Sequence, residues 1–420
     1  MTELPTSWTR ASLGDIAKWG SGGTPSAGNP AFYGGDIPWA VIGDLTEGLV
    51  TRTKASITEA GLSKSAAKVV PEGAILIAMY GASIGRLGIT ARPMATNQAI
   101  AHALTTDRLN PKFLFYYLLS QKRGFVAAGK GAAQPNIGQA ILKAWPIEYP
   151  EDPTEQQRIV NILEDHLSRL DASDSLATTA LRRLQVLHKS VLLDLIPDAK
   201  AYPVHWNQST VSQAGNVTLG RQRHPDWHNG PNMHPYLRVA NVFEDRIDLS
   251  DVMEMHWPDD SFERFRLKPG DVLLNEGQSP EFLGRPAMYT GTPVDIAFTN
   301  TLIRFQANDG VLPEFALLVF RRHMHAGRFA QESRITTNIA HLSASRLKPI
   351  EFPIPPLDEQ KQLAGLAEQQ LGDASRLGDQ VRLLKLKSKV LRRALLGAAF
   401  SGRLTGKSID MEIVEEMAGG

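Results

Sequence analysis

Apolar residues return every three or four positions along two long stretches of the chain. The first seam runs through Leu163, Leu167, Leu170, Asp174, Ala177, Leu181, Leu184, His188, Val191 and Leu195. The second runs through Leu363, Ala367, Gln370, Ala374, Leu377, Val381, Leu384, Ser388, Leu391 and Leu395. Such spacing is that of a heptad helix with one buried stripe. Thr154 with Gln157 forms a candidate capping box at the start of the first helix, and Pro197 closes it. Asp358 is the candidate N-cap of the second, and Gly402 its stop. Gln156 and Gln360 fall in the first turns and belong with the helix-pairing residues. Two matched seams in one chain predict helices that zip together. Each leaves its preceding domain at the same end, so a pseudo-twofold pairing is antiparallel and gives a rod on the order of 60 Å.

The segments before the helices follow a different pattern, with short β-branched runs broken by glycine and proline. Val69–Met79, with the turn Pro71-Glu72-Gly73, and Leu267–Asn275, with Pro269-Gly270-Asp271, each predict a turn feeding a buried strand. Leu109–Ser120 and Val311–Arg322 predict short helices opened by proline. These matches belong to a repeat with a period of about 200 residues. Trp8 answers Trp206, Pro71 answers Pro269 and Asn97 answers Asn300. Pro146-Ile147-Glu148-Tyr149-Pro150 answers Pro349-Ile350-Glu351-Phe352-Pro353, and a Glu-Gln pair follows each. The expectation is an α+β chain with two homologous domains, 1–153 and 198–355, two antiparallel coiled-coil helices, 154–197 and 356–402, and a tail, 403–420.

Composition narrows the chemistry. The 420 residues include no cysteine, which excludes disulfides, thiolate metal sites and cysteine nucleophiles. The apolar runs are too short to cross a bilayer, and the first residues carry no signal-like pattern, so a soluble cytoplasmic protein is expected. The formal net charge is +1. A nucleic-acid binder normally has a clear positive excess, because neutralised phosphates release counterions. A DNA role therefore requires basic residues gathered on one face, or a partner that shares the grip.

Several strings imitate catalytic sites and do not hold. Gly81-Ala82-Ser83-Ile84-Gly85 matches a nucleophile elbow, but Gly88 and Pro93 follow where a helix must open. Gly124 to Lys130 has phosphate-loop spacing, but Gly131 replaces the required Ser or Thr. Asn29-Pro30-Ala31-Phe32-Tyr33 lacks the second proline of an adenine methyltransferase loop, and no Gly-rich turn after a strand precedes it. His224 and His228 stand four apart, but Pro225 blocks a regular helix between them and no carboxylate completes a metal site. No catalytic residue and no metal ligand is assigned.

The loops do carry side chains suited to DNA. The first domain offers Ser21, Thr24, Lys64, Lys68, Arg86, Asn97, Gln98, Lys130, Gln134 and Asn136. The second offers Arg221, Arg223, His224, Asn275, Gln278, Arg285, Asn300, Arg334, Thr336, Thr337 and Asn338. Arginine reads guanine and Asn or Gln reads adenine in the major groove, while Ser, Thr and Lys hold phosphates. A rod of about 60 Å spans between one and two DNA turns of about 34 Å.

With these residues in view, the chain resembles the specificity subunits of type I restriction–modification systems. The likeness rests on Gly23-Thr24-Pro25-Ser26 with Asp36-Ile37-Pro38-Trp39, on Gln134-Pro135-Asn136-Ile137, and on both Pro-x-x-x-Glu-Gln helix starts. Asn275-Glu276-Gly277-Gln278, Gly284-Arg285-Pro286, Thr299-Asn300-Thr301 and Ala398-Ala399-Phe400-Ser401-Gly402-Arg403-Leu404 extend it over nearly the whole chain. One departure is Arg334-Ile335-Thr336-Thr337-Asn338 where the first half has Gln134-Pro135-Asn136. The resemblance implies two target recognition domains that read the halves of a split, asymmetric site on double-stranded DNA. It also implies a non-catalytic chain that holds no cofactor itself. Two methylation subunits would bring S-adenosylmethionine and methylate adenine, and in the cleaving form two restriction subunits would bring ATP and Mg2+. A two-headed coiled-coil scaffold for proteins, with no DNA role, is the alternative.

Overall fold

The computed structural model describes residues 7–129, 135–258, 261–336 and 339–404, with the side chains of 334–336 outside the description. The chain divides into two compact units, 1–177 with 383–420, and 178–382. Each unit takes part of each long helix.

Glycine turns set the central strands of both. Gly73 (φ +79°) and Gly270 (φ +91°) take the left-handed backbone that a Cβ disfavours. They deliver Ile75–Ala78 and Val272–Asn275, buried at every position. In the first unit the sheet order is Ala17–Ser21, Ile100–Thr105, Ile75–Ala78, Leu87–Thr90 and Leu49–Val50. In the second it is Gly215–Leu219, Leu302–Ala307, Val272–Asn275 and Pro286–Met288. Beside each sheet lies a parallel pair, Tyr33–Ala40 with Met94–Thr96 and Met233–Leu237 with Ala297–Phe298. An antiparallel pair closes each unit, Trp8–Ser12 on Pro146–Pro150 and Asn207–Thr210 on Glu351–Ile354. The doubled pattern of the sequence is therefore a doubled topology.

Two short helices and two long ones frame these sheets: α1 (Pro111–Ser120), α2 (Pro153–Leu195), α3 (Pro313–His325) and α4 (Leu357–Ala399). At 43 residues each, α2 and α4 extend about 65 Å at 1.5 Å per residue. The first long helix begins earlier than the Thr154 capping box predicts. The carboxylate of Asp152 accepts the Thr154 amide at 2.9 Å, and Pro153 occupies the first helical position, where no amide proton is needed. The Gln157 amide oxygen instead accepts from the Asn110 side chain at 2.8 Å. Asp358 likewise lies inside the first turn of α4, whose Gln360 amide donates to Pro356 O at 3.0 Å. Beyond Ala399 the helix stops as predicted, with Gly402 left-handed (φ +73°) and the Arg403 amide donating to Ala398 O.

The long helices pack together within each unit. In the first, Ile159, Val160, Leu163 and Leu167 of α2 share a core with Leu395, Leu396, Ala398 and Ala399 of α4, and Arg392 pairs with Asp171. In the second, Leu192 and Ile196 at the end of α2 share a core with Ala367 and Leu371 near the start of α4, with Leu363 and Val191 packed against it. Start meets end in both, so the helices run antiparallel. Along α2 every predicted seam position from Leu163 to Leu195 is buried or half-buried, including Leu170, Leu181 and Leu184. Along α4 alternate positions, Ala367, Ala374, Val381, Ser388 and Leu395, do the same. The intervening inward positions fall one residue later than expected, at Leu371, Gly378, Lys385 and Arg392. Leu377 and Leu384 consequently stand 50% and 61% exposed, while Leu391 is half-buried. Inward positions that alternate four and three apart suit either phase of a heptad, and the apolar side chains at 377 and 384 point to the wrong one.

Gln156 and Gln360 do something the heptad did not foresee. Each is fully buried and pins the helix start to the loop before the domain's own short helix. Gln156 accepts from the Asn110 amide at 2.7 Å and donates to Arg108 O and Pro150 O. Gln360 accepts from the Leu312 amide at 2.9 Å and donates to Gly310 O and Pro355 O. Among the described residues no helix is long and apolar enough to cross a membrane.

Candidate nucleic-acid interface

In the first unit, strand Ala17–Ser21 leaves the sheet at two glycines pressed against neighbouring backbone. A Cβ on Gly22 would sit 1.9 Å from Thr96 O, and one on Gly23 would sit 2.3 Å from the backbone of Ala66 and Ala67. Only glycine lets this loop lie so close. The Gly23 carbonyl is fixed by the Trp39 indole N–H at 3.1 Å, and its amide donates to Thr96 O at 2.9 Å. The result places Thr24 against Gln98, whose side chains bond to each other, with Asn97 alongside. Lys64 and Lys68 follow from the segment next to Ala66, both exposed.

Three buried polar atoms around this loop have no partner among the described residues: Thr96 Oγ1, Asn97 Oδ1 and His102 Nδ1. Unpaired buried polar atoms cost about 1–3 kcal/mol each, so they need a reason to persist. The His102 ring faces Gly20, and burial followed by the Lys68 ammonium holds it below the ordinary imidazole range. His102 and Thr96 were not singled out from sequence. His102 lies in an apolar run and is brought here by the pairing of Ala17–Ser21 with Ile100–Thr105, while Thr96 adjoins Asn97 and Gln98 and meets the loop where Gly22 presses on its carbonyl.

A second group sits at the end of strand Ile75–Ala78. The loop at Pro135 and Asn136 crosses it, with the Gly81 amide on Pro135 O and the Ile137 amide on Met79 O. Arg86 follows the turn at Gly81–Ser83 and is exposed, with no side-chain partner among the described residues. Ser21 ends its strand half-buried. Lys130 and Gln134 lie outside the described residues.

The second unit repeats the frame with different side chains. Gly220 is pressed on Thr299 O as Gly22 is on Thr96 O, and the Asn300 amide donates to Arg221 O. Arg221 replaces the second glycine. Its guanidinium lies 3.9 Å from the ring centre of Trp227 and 5.2 Å from that of Trp257, and it donates to Ser261 Oγ. Arg223 and His224 are exposed just beyond, His224 beside Asp226 at 3.2 Å.

The remaining candidates of this unit are mostly inward. Asn275 is 0% exposed and donates to Val242 O at 3.3 Å. Arg285 donates to the same carbonyl at 3.0 Å and lies over the Phe243 ring at 4.6 Å. In this conformation both brace the Val242–Phe243 strand rather than face solvent. Gln278 is half-buried and takes the Ser279 amide on its own oxygen. Arg334 and Thr336 belong to a strand whose side chains are not described, and Thr337 and Asn338 lie outside the described residues.

A doubled α+β fold, with one polar loop cluster per copy and a long helix after each copy in sequence, defines the class. The chain matches the family model described as type I restriction modification DNA specificity domain over residues 5–176 and 258–366, and it belongs to that family. It is similar to the type I restriction enzyme MjaIX specificity subunit of Methanocaldococcus jannaschii, 29% identical over 166 residues, or 38% of each chain. It is also similar to the StySPI specificity subunit of Salmonella potsdam, 20% identical over 424 residues, covering 96% of this chain and 91% of that one. The aligned stretches cover between 37% and 44% of the first four curated relatives. A solved chain from a type I R-M system, described for complex assembly and conformational transition, shares the fold with a TM-score of 0.77. It is 17% identical, with 96% of this chain and 100% of that one covered.

Proposed function

We propose that this chain is a non-catalytic specificity subunit that recognises a bipartite, asymmetric DNA site and directs adenine methylation to it. Domain 1–153 reads one half and domain 198–355 the other, with helices 154–197 and 356–402 as spacer and docking surface. The observation that carries this reading is the doubled loop frame with unlike side chains. Gly22 and Gly220 make the same close approach and Asn97 answers Asn300, yet Gly23, Thr24 and Gln98 stand in one copy where Arg221, Gln222 and Thr301 stand in the other. One backbone frame with two side-chain sets suits two different half-sites.

Two methylation subunits dock on the long helices, where Leu176, Val186, Leu383, Leu384 and Leu386 are exposed apolar side chains. They carry S-adenosylmethionine and act on an adenine flipped from the duplex. Two restriction subunits with ATP and Mg2+ complete the cleaving form. Sharing phosphate contacts with these partners is compatible with a net charge of only +1.

Sequencing of methylated adenines in the host, with and without this gene, tests the reading. A split motif whose methylation vanishes with the gene is the expected result. An unchanged methylome, with no duplex binding by the chain and a methylation subunit together, would leave the protein scaffold as the better account.

A further inference from the structure

The second unit holds a titratable cluster that the DNA reading does not use. Glu244 stands in the turn between Val242–Phe243 and Arg246–Ile247, and its carboxylate meets two imidazoles. His188 Nε2, from α2, is 2.9 Å from Oε1, and His325 Nε2, from the last turn of α3, is 3.0 Å from both oxygens. The three donor atoms lie within 4.8 Å of one another, and all three side chains are partly exposed.

Arg321, one turn earlier on α3, makes the hydrogen bonding inconsistent. Its Nε donates to Glu244 Oε1 at 3.1 Å, its Nη1 to Asp245 Oδ2 at 3.0 Å, and its Nη2 lies 3.1 Å from His188 Nε2. One imidazole nitrogen cannot both donate to Glu244 and accept from Arg321. A cation between the imidazoles and the carboxylate takes the nitrogen lone pairs, and it requires Arg321 to turn from His188 and Glu244 toward Asp245, which it already holds through Nη1.

We propose that His188, Glu244 and His325 bind one zinc ion, tying α2, α3 and the Glu244 turn together within the second unit. Two imidazole nitrogens and a carboxylate are a donor set that Zn2+ accepts. Tetrahedral bonds of about 2.0–2.1 Å separate ligand atoms by about 3.3 Å, so the two imidazole–carboxylate contacts open by about 0.3–0.4 Å on binding. The surroundings favour a cation. Glu244, Asp245 and the nearby Glu368 face Arg321 and Arg285, three carboxylates against two guanidiniums. Partial exposure leaves solvent for the fourth position. The site is confined to one half of the repeat. Ser388 occupies the seam position matching His188, and the turn at left-handed Glu47 (φ +60°), the counterpart of Asp245 (φ +57°), is preceded by Thr46.

The test is calorimetric titration of the tag-free, chelator-stripped full chain with zinc sulfate, alongside competition with a chromophoric chelator. The expected result is one zinc per chain with a dissociation constant of about 1 μM or tighter. Glu244→Gln and His325→Asn each weaken it by about tenfold or more, whereas His166→Asn, elsewhere on α2, leaves it unchanged. Zinc also raises the melting midpoint of the parent chain and not that of the folded variants. If a variant does not fold, the parent titration decides alone. No saturable uptake up to about 100 μM, or equal uptake in Glu244→Gln and His325→Asn, overturns the proposal.

Discussion

Gln156 shows how one side chain joins a helix to a domain. It fills three backbone partners at once, and Gln360 repeats the arrangement in the second half. Replacing either by alanine strands buried backbone groups, so Gln156→Ala and Gln360→Ala should each cost about 2–3 kcal/mol in denaturant unfolding. Arg86 and Arg285 look alike in sequence, each after a strand and beside glycines, but their surroundings separate them. Arg86→Ala should weaken binding to cognate duplex by about 1–3 kcal/mol without moving the melting midpoint. Arg285→Ala should lower the midpoint, because it removes the bond to Val242 O and the stack on Phe243. Differential scanning fluorimetry beside a mobility-shift titration separates the two. Sequence conveys which residues can read a base, and not which are spent on packing. Asn275 and Arg285 have the right chemistry and are used inward, while His102, with a buried unpartnered Nδ1 beside the loop, carried no sequence signal.

At the scale of elements, periodicity carried most of the information. The α2 seam and the glycine turns were legible because burial imposes spacing directly on the chain. The cap of α2 was not, since Thr154 with Gln157 satisfies the same local rule as Asp152 with Pro153, and only the surrounding bonds choose. The phase of α4 was obscured by apolar residues on its outer face. Leu377→Lys and Leu384→Lys should therefore change the stability of the isolated chain by no more than about 0.5 kcal/mol. Leu371→Ala and Leu395→Ala should each cost about 2–5 kcal/mol. Thermal or urea unfolding distinguishes these outcomes. The helices carry a functional expectation as well: deleting one heptad from both α2 and α4 should shorten the unread spacer of the methylated motif and leave both half-sites as they were.

Over the whole molecule, one topology written twice carries two different sets of loop side chains. Shared features are those that build the frame: the buried glutamines, the pressed glycines at 22 and 220, the parallel strand pairs. Features that differ lie on the loops, together with the His188, Glu244 and His325 cluster. Those three are separated by 56 and 81 residues, and no motif could have announced them. The repeat made the fold readable, and the departures from it hold what is specific. The most direct test of that division is the methylome of a host carrying Thr24→Ala, Asn97→Ala and Gln98→Ala together. That division predicts methylated sites that keep one half of the split motif intact and lose stringency in the other. Relaxation of both halves, or of neither, would contradict it.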